Sequence, residues 1–77
     1  MKFSVNIYTW NEDGYQDKVV AEATVDAENP RAALQEVLDH WDLGYGCPRQ
    51  VETVFEDSDV EFHGMTGNKY SYDVCAW

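Results

Sequence analysis

The residues with the most evident capacity for chemistry lie in FEDSDVEFHG, residues 55 to 64. Four carboxylates fall within six residues of this stretch, with no Lys or Arg among them: Glu56, Asp57, Asp59 and Glu61. Such a cluster can hold a cation, exchange protons or present negative charge to a partner. The stretch lacks the Asp-x-Asp-x-Asp-Gly run and terminal Glu of a calcium loop, so we predict no calcium site.

Ligands for softer metals are scarce in the sequence. The cysteines are Cys47 and Cys75, and the histidines are His40 and His63. Structural zinc sites usually draw pairs of ligands from short spacings such as C-x-x-C or H-x-x-x-H, and neither occurs. Cys75 lies in an apolar strand, where a thiol behaves as a small hydrophobic group. We therefore predict no metal and no cofactor.

Catalytic motifs are also lacking. The sequence contains no glycine-rich phosphate loop and no G-x-S-x-G elbow. Acid–base catalysis by paired carboxyls needs one group kept protonated by burial beside another left ionised. Nothing in the sequence places an acid in an apolar pocket, and Asp39, next to His40, belongs to the solvated face of a helix. We predict a protein that is not an enzyme.

The net charge of the chain predicts the chemical class of its binding partner. Fifteen Asp and Glu residues face five Lys and Arg residues, giving a formal net charge of −10 in 77 residues. So acidic a chain repels nucleic acids and anionic membranes, which predicts a basic protein partner and no direct nucleic-acid binding. The length predicts one domain, residues 1–77. No apolar stretch of about 18 residues, no signal-peptide pattern and only two cysteines predict a cytoplasmic protein.

The pattern of apolar residues predicts an α+β fold with the order β-β-α-β-β-β. Strict alternation favours strands, Asp13-Gly14 favours a hairpin turn, and Asn29-Pro30 begins a helix that ends at Gly44 and Gly46. Val19 is assigned to the apolar face of the second strand and Val20 to its outer face. The predicted strands span residues 3–10, 18–26, 49–56, 60–63 and 69–77, with GMTGN, residues 64–68, as a loop. Together they form an antiparallel sheet with the helix packed on one face.

The other face of that sheet is then the candidate binding surface. Acids beside exposed aromatic side chains are typical of protein interfaces, because the rings anchor the partner and the charges steer its approach. The predicted surface comprises Tyr8, Trp10, Glu22, Asp26, Glu52, Glu56, Asp57, Asp59 and Glu61. An unpaired edge strand with exposed aromatics would also permit a homodimer.

Size, charge and element order, together with the segment TVDAENPRAALQEVLDHW, resemble the small inhibitors that bacteriophages encode against host defence, notably anti-CRISPR and anti-restriction proteins. The resemblance implies direct binding to a defence nuclease or CRISPR effector complex in the host cytoplasm and occlusion of its nucleic-acid site. It assigns no residue. The alternative is an acidic structural or accessory domain, adapted to salt or serving in a virion or in regulation, with no inhibitory role.

Overall fold

A computed structural model describes residues 1–41, 43, 46–67 and 69–77 of the chain. They form one antiparallel sheet with the strand order β2-β1-β5-β4-β3, and one helix. This arrangement confirms the predicted α+β class and the order β-β-α-β-β-β. The elements are β1 Lys2–Trp10, β2 Gln16–Asp26, α1 Pro30–His40, β3 Thr53–Asp57, β4 Glu61–Thr66 and β5 Tyr70–Ala76.

Helix α1 begins as its sequence predicts. The Asn29 side chain accepts a hydrogen bond from the backbone N–H of Ala32 at 2.8 Å, and Pro30 occupies the first turn. Asn29 thereby satisfies one of the amides that a helix start leaves without a partner. The helix ends at His40, before the predicted glycine pair. Gly46 has a φ of 86° in the following connection, and Gly44 lies outside the described residues.

The helix covers one face of the sheet and creates the core. It packs most extensively against the central strand β5, equally against β1 and β2, and least against β4. The predicted alternation holds in β1, where Phe3, Val5 and Ile7 are buried, and in β5, where Tyr72 and Val74 are buried. The core contains Phe3, Val5, Ile7, Ala21, Ala23, Val25, Ala33, Leu34, Val37, Leu38, Leu43, Phe62, Tyr72 and Val74.

One facing prediction in β2 is wrong. Residues 21–26 pair with β1 in simple register, but the register shifts between Ile7 and Tyr8, so that Ala21 pairs with Ile7 and Val19 pairs with Tyr8. Because the shift inserts one extra residue, Val20 packs partly against the core while Val19 turns to the opposite face and is exposed. A bulge of this kind reverses the alternation on one side of it, which the apolar pattern alone does not reveal.

Strands β3 and β4 also differ from the predicted bounds. Strand β3 begins four residues later than predicted, and β4 extends through Gly64 to Thr66, where a loop was predicted. A Cβ on Gly64 would lie 2.9 Å from the Thr53 carbonyl oxygen and 2.9 Å from Val51 Cγ1. Gly64 is therefore a site of close approach between strands rather than a loop residue.

The sheet has two edge strands, β2 and β3. All five residues of β3 are exposed, and its pairing with β4 is irregular between Val54 and Glu56, where Phe55 is 64% exposed. Short length and an irregularity are common features of edge strands that resist self-pairing. Homodimerisation through such an edge stays a prediction.

No helix among the described residues is long and apolar enough to cross a membrane.

Replacing Gly64 with Ala should destabilise the fold by about 1–3 kcal/mol, because the added methyl group meets backbone that cannot easily move. Urea denaturation followed by circular dichroism measures the change. Thr24→Ala, at an exposed position of β2, is the control and should cost less. Equal stability of the Gly64→Ala variant and the parent chain would contradict the close approach.

Candidate binding face

The face of the sheet turned away from α1 is called the open face. Paired residues on neighbouring strands project their side chains to the same face, so the register assigns each one. A single row crosses all five strands, and its side chains are Glu22, Asn6, Asp73, His63 and Glu56. Beside it lies a second row of four side chains: Thr24, Ser4, Cys75 and Glu61.

Carboxylates dominate the open face. The register places five there: Glu22, Asp26, Glu56, Glu61 and Asp73. Among the described residues that the register assigns to this face, the cationic groups are Lys2, whose cross-strand partner is Asp26, and His63 when protonated. The N-terminal ammonium of Met1 also pairs with Asp26, at 3.0 Å from its Oδ1. The open face is therefore a negative surface, as predicted for Glu22, Asp26, Glu56 and Glu61, and it gains Asp73.

Asp57 lies on the helix side of the sheet. It pairs with the buried Phe62 across β3 and β4, and its Oδ2 accepts hydrogen bonds from Arg31 Nη2 at 2.7 Å and Nε at 3.1 Å. Arg31 also stacks over the Phe62 ring at 5.1 Å. The expectation that Asp57 lies on the same surface as Glu56 is wrong, because adjacent strand residues face opposite ways. Asp57 instead ties α1 to the β3–β4 hairpin.

Two other predicted acids lie outside the strands. Asp59 is in the turn between β3 and β4, beside Arg31 and Asn29 at the rim of the helix side. Glu52 precedes β3, and its Oε2 accepts a hydrogen bond from the backbone N–H of Gly67 at 3.0 Å. Both are exposed, but neither belongs to the rows of the open face. The acidic cluster of the sequence is thus divided among two faces and the sheet ends.

Tyr8 and Trp10 project from the open face as predicted, but they are half-buried. Their rings lie 5.6 Å apart at an angle of 56°, and the Trp10 indole N–H donates to Ser71 Oγ. Burial and a hydrogen bond to Asp73 raise the pKa of Tyr8 to about 12. These rings are therefore held by neighbours on the sheet, and only part of each is free to contact a partner.

A shallow depression of about 240 Å³ lies between the Tyr8 end of β1 and the edge strand β2. It is lined by Asn6, Tyr8, Gln16, Val19, Glu22 and Asp73. Two carboxylates and one aromatic ring in such a depression match the head group of Lys or Arg, which pairs with acids and stacks on aromatic faces.

His63 is the centre of a second group on the open face. Its Nδ1 lies 2.9 Å from Asp73 Oδ1, and its Nε2 lies 3.8 Å from Glu61 Oε2 and 4.0 Å from Glu56 Oε2. The hydrogen bond to Asp73 raises the pKa of His63 above 6.5. The charges of Asp73, Glu61 and Glu56 raise it further, against the lowering effect of partial burial.

The remaining candidate ligands lie apart from this group. His40 is exposed near the end of α1, 3.8 Å from Glu36, and Cys47 packs partly against the core in the connection between α1 and β3. Both Cys47 and Cys75 are free thiols. Cys75 belongs to the second row of the open face, opposite the face of β5 that carries Tyr72 and Val74. Burial and the nearby carboxylates of Glu61, Asp73 and Glu56 raise the pKa of its thiol.

Sequence reasoning missed Asp73 and His63 as members of the face. The signal was present in KYSYDVCAW: if Tyr72 and Val74 face the core, Ser71, Asp73 and Cys75 must face away from it. What the sequence could not supply is the register that sets Asp73 beside His63 on β4.

No family model, no curated protein and no solved structure matches this chain.

His63 should titrate above 6.5, and Asp73→Asn should lower its pKa because the variant removes the main cause of the shift. A raised folded-state pKa means that protonated His63 stabilises the fold below pH 6.5. This contribution is lost as the pH rises through the raised pKa. NMR titration of the ring protons measures the pKa, and thermal unfolding across the same pH range measures the stability.

Asp39→Asn, on the exposed side of α1, is the matched control and should leave the His63 titration unchanged. An identical His63 pKa in the parent chain and in Asp73→Asn would show that the hydrogen bond does not form in solution.

Proposed function

We propose that this chain is a non-enzymatic binding protein that occupies a basic nucleic-acid-binding site through its open face. The partner we infer is a defence nuclease or a CRISPR effector complex in the cytoplasm of a bacterial host, as for phage-encoded inhibitors. One observation carries the proposal: five carboxylates share a sheet face whose described cationic groups are Lys2, His63 when protonated and the Met1 ammonium that pairs with Asp26.

The spacing of these charges supports electrostatic occupancy of a basic site. In the central row, Glu22, Asp73 and Glu56 lie on alternate strands, about 10 Å apart at a strand spacing of about 4.8 Å. Duplex DNA carries one charge per about 1.7 Å of its axis, so the row is much sparser than a duplex. The face is therefore suited to pairing with a few Arg and Lys side chains at once rather than copying a whole duplex.

The depression beside Tyr8 gives this surface a specific point of contact. An Arg or Lys of the partner that enters it would meet Glu22 and Asp73 and lie against the Tyr8 ring. Because Tyr8 is already fixed by its neighbours, little side-chain freedom would be lost on binding. Long-range attraction would speed the encounter, and this contact would slow dissociation.

The accessory-domain alternative also has support. Acids occur away from the open face, as in Glu36 and Asp39 on the exposed side of α1 and Asp59 in the β3–β4 turn. Acidity spread in this way is typical of proteins that need only solubility or adaptation to salt. The proposed inhibitor depends on where its carboxylates lie on the surface, whereas the accessory domain depends only on how many carboxylates it has.

A triple variant, Glu22→Gln, Asp26→Asn and Glu56→Gln, tests the position. The probes are a guide-loaded CRISPR effector complex and a restriction endonuclease, each assayed for DNA binding and cleavage at low salt with the purified protein added. We expect the parent chain to block at least one probe and the triple variant to associate with it on the order of tenfold more slowly. Inhibition should weaken as added salt screens the charges.

The matched control removes three carboxylates elsewhere, through Glu12→Gln, Asp13→Asn and Glu28→Gln, and should inhibit as the parent chain does. Equal loss in both triple variants would favour total charge over the open face. The proposal fails if neither probe is inhibited by the parent chain.

A potassium chloride series tests the alternative separately. A salt-adapted domain should unfold at low ionic strength and gain stability strongly toward molar salt, because its carboxylates repel one another without screening. An inhibitor of a mesophilic host should already be folded at low ionic strength, and its thermal midpoint should change little as salt screens the carboxylates. Differential scanning calorimetry across the series distinguishes the two.

A further inference from the structure

We propose that Glu61, His63 and Cys75 form a binding site for a divalent transition metal of the zinc type on the open face. One ligand atom from each residue, a carboxylate oxygen, an imidazole nitrogen and the thiol sulfur, lies within 4.8 Å of the other two. This inference does not depend on the proposed function, since it concerns the chain alone.

The sheet itself brings these three side chains together. Glu61 and Cys75 are direct partners across β4 and β5, and His63 follows Glu61 by two residues, which returns it to the same face of β4. Both strands are paired on each side, so the ligands project from rigid backbone. All three residues are half-buried, which keeps them accessible to an ion while limiting competition from water.

The ligand atoms lie somewhat farther apart than in an occupied tetrahedral site. Bonds of about 2.0 Å to N and O and about 2.3 Å to S put the N and O atoms about 3.3 Å apart and the S atom about 3.5 Å from either. His63 Nε2 lies 3.8 Å from Glu61 Oε2, and all three ligand atoms lie within 4.8 Å of one another. Small rotations of the side chains would complete the approach. Glu56 Oε2 lies 4.0 Å from His63 Nε2 but outside the group of three, so a solvent molecule would supply the fourth ligand unless Glu56 moves inward.

Asp73 orients the histidine as metal sites commonly require. Its carboxylate lies 2.9 Å from His63 Nδ1 and can only accept, so Nδ1 donates to it. In the neutral ring, Nε2 then keeps its lone pair for a metal, on the side of Glu61 and Glu56. A carboxylate behind a ligating histidine fixes the ring and makes it more basic. Asp73 is therefore a positioning residue of the site.

The donor set and the local charge both favour a transition-metal dication. Imidazole and thiolate suit zinc and its neighbours rather than calcium or magnesium, which prefer all-oxygen sites. The carboxylates that disfavour a thiolate at Cys75 attract a dication to the same place. On binding, the thiol loses its proton to solvent and the sulfur bonds to the metal, with no change in oxidation state.

The test is calorimetric titration of zinc chloride into the reduced, chelator-treated full chain. We expect one ion per chain and a rise in the thermal midpoint with zinc. Cobalt(II) in place of zinc should give visible bands of a tetrahedral site together with a thiolate charge-transfer band. No saturable zinc binding and no change in midpoint would overturn the proposal.

Matched variants locate the site, because the chain has a second cysteine and a second histidine away from it. Cys75→Ser should abolish the charge-transfer band, while Cys47→Ser should retain it. His63→Gln should lose more than tenfold in zinc affinity, while His40→Gln should keep the parent affinity. Asp73→Asn should bind zinc about 10–100-fold more weakly and keep the one-to-one stoichiometry.

Circular dichroism of each variant without metal confirms the fold, and Glu61→Gln gives a second ligand variant if one of the others fails to fold. Equal zinc affinity in Cys75→Ser and Cys47→Ser, or in His63→Gln and His40→Gln, would refute the assignment. Because these measurements contain no partner, their failure would leave the proposed inhibition standing, and the reverse also holds.

Discussion

One-sided burial is the constraint on which this molecule depends. A chain of 77 residues has enough apolar side chains for one layer of core, and α1 places that layer on one face of the sheet. Strand alternation then forces every second residue of five strands to the other face, where no element of the described chain covers it. The open face is thus a consequence of the fold, and only its chemistry was free to vary.

The side chains on the open face destabilise the fold through charge repulsion. Five carboxylates held on one sheet repel each other, and the described face offers them few cations. Protonated His63 offsets part of this repulsion, since it lies within 4.0 Å of Glu56, Glu61 and Asp73. Carboxylates that repel one another in the free chain would be relieved by a positive ligand, as the proposed function requires.

More of the fold than of the candidate site could be predicted from the sequence. Alternation in β1 and β5, the Asn29 cap and the helical stripe determine the architecture, because each is a local rule. The bulge at Val20 and the close approach at Gly64 depend on cross-strand geometry. The predicted outward facing of Val20 and the predicted loop at Gly64 were therefore wrong. The site depends on the same geometry: neighbours in sequence such as Glu56 and Asp57 separate to opposite faces, while Asp73 meets His63 from ten residues away.

Asp73 also contacts both sites proposed for the open face, the metal site and the depression beside Tyr8. Its carboxylate orients His63 toward Glu61 and Cys75, and it forms one wall of the depression beside Tyr8 and Glu22. Because Cys75 loses a proton on binding, a dication held at the first site with a neutral His63 would add one net positive charge. That charge would lie within one or two strand spacings of the second site. Occupancy of the metal site would therefore weaken the attraction of the face for a basic side chain. By linkage, a bound basic partner would lower the affinity for the metal by the same factor.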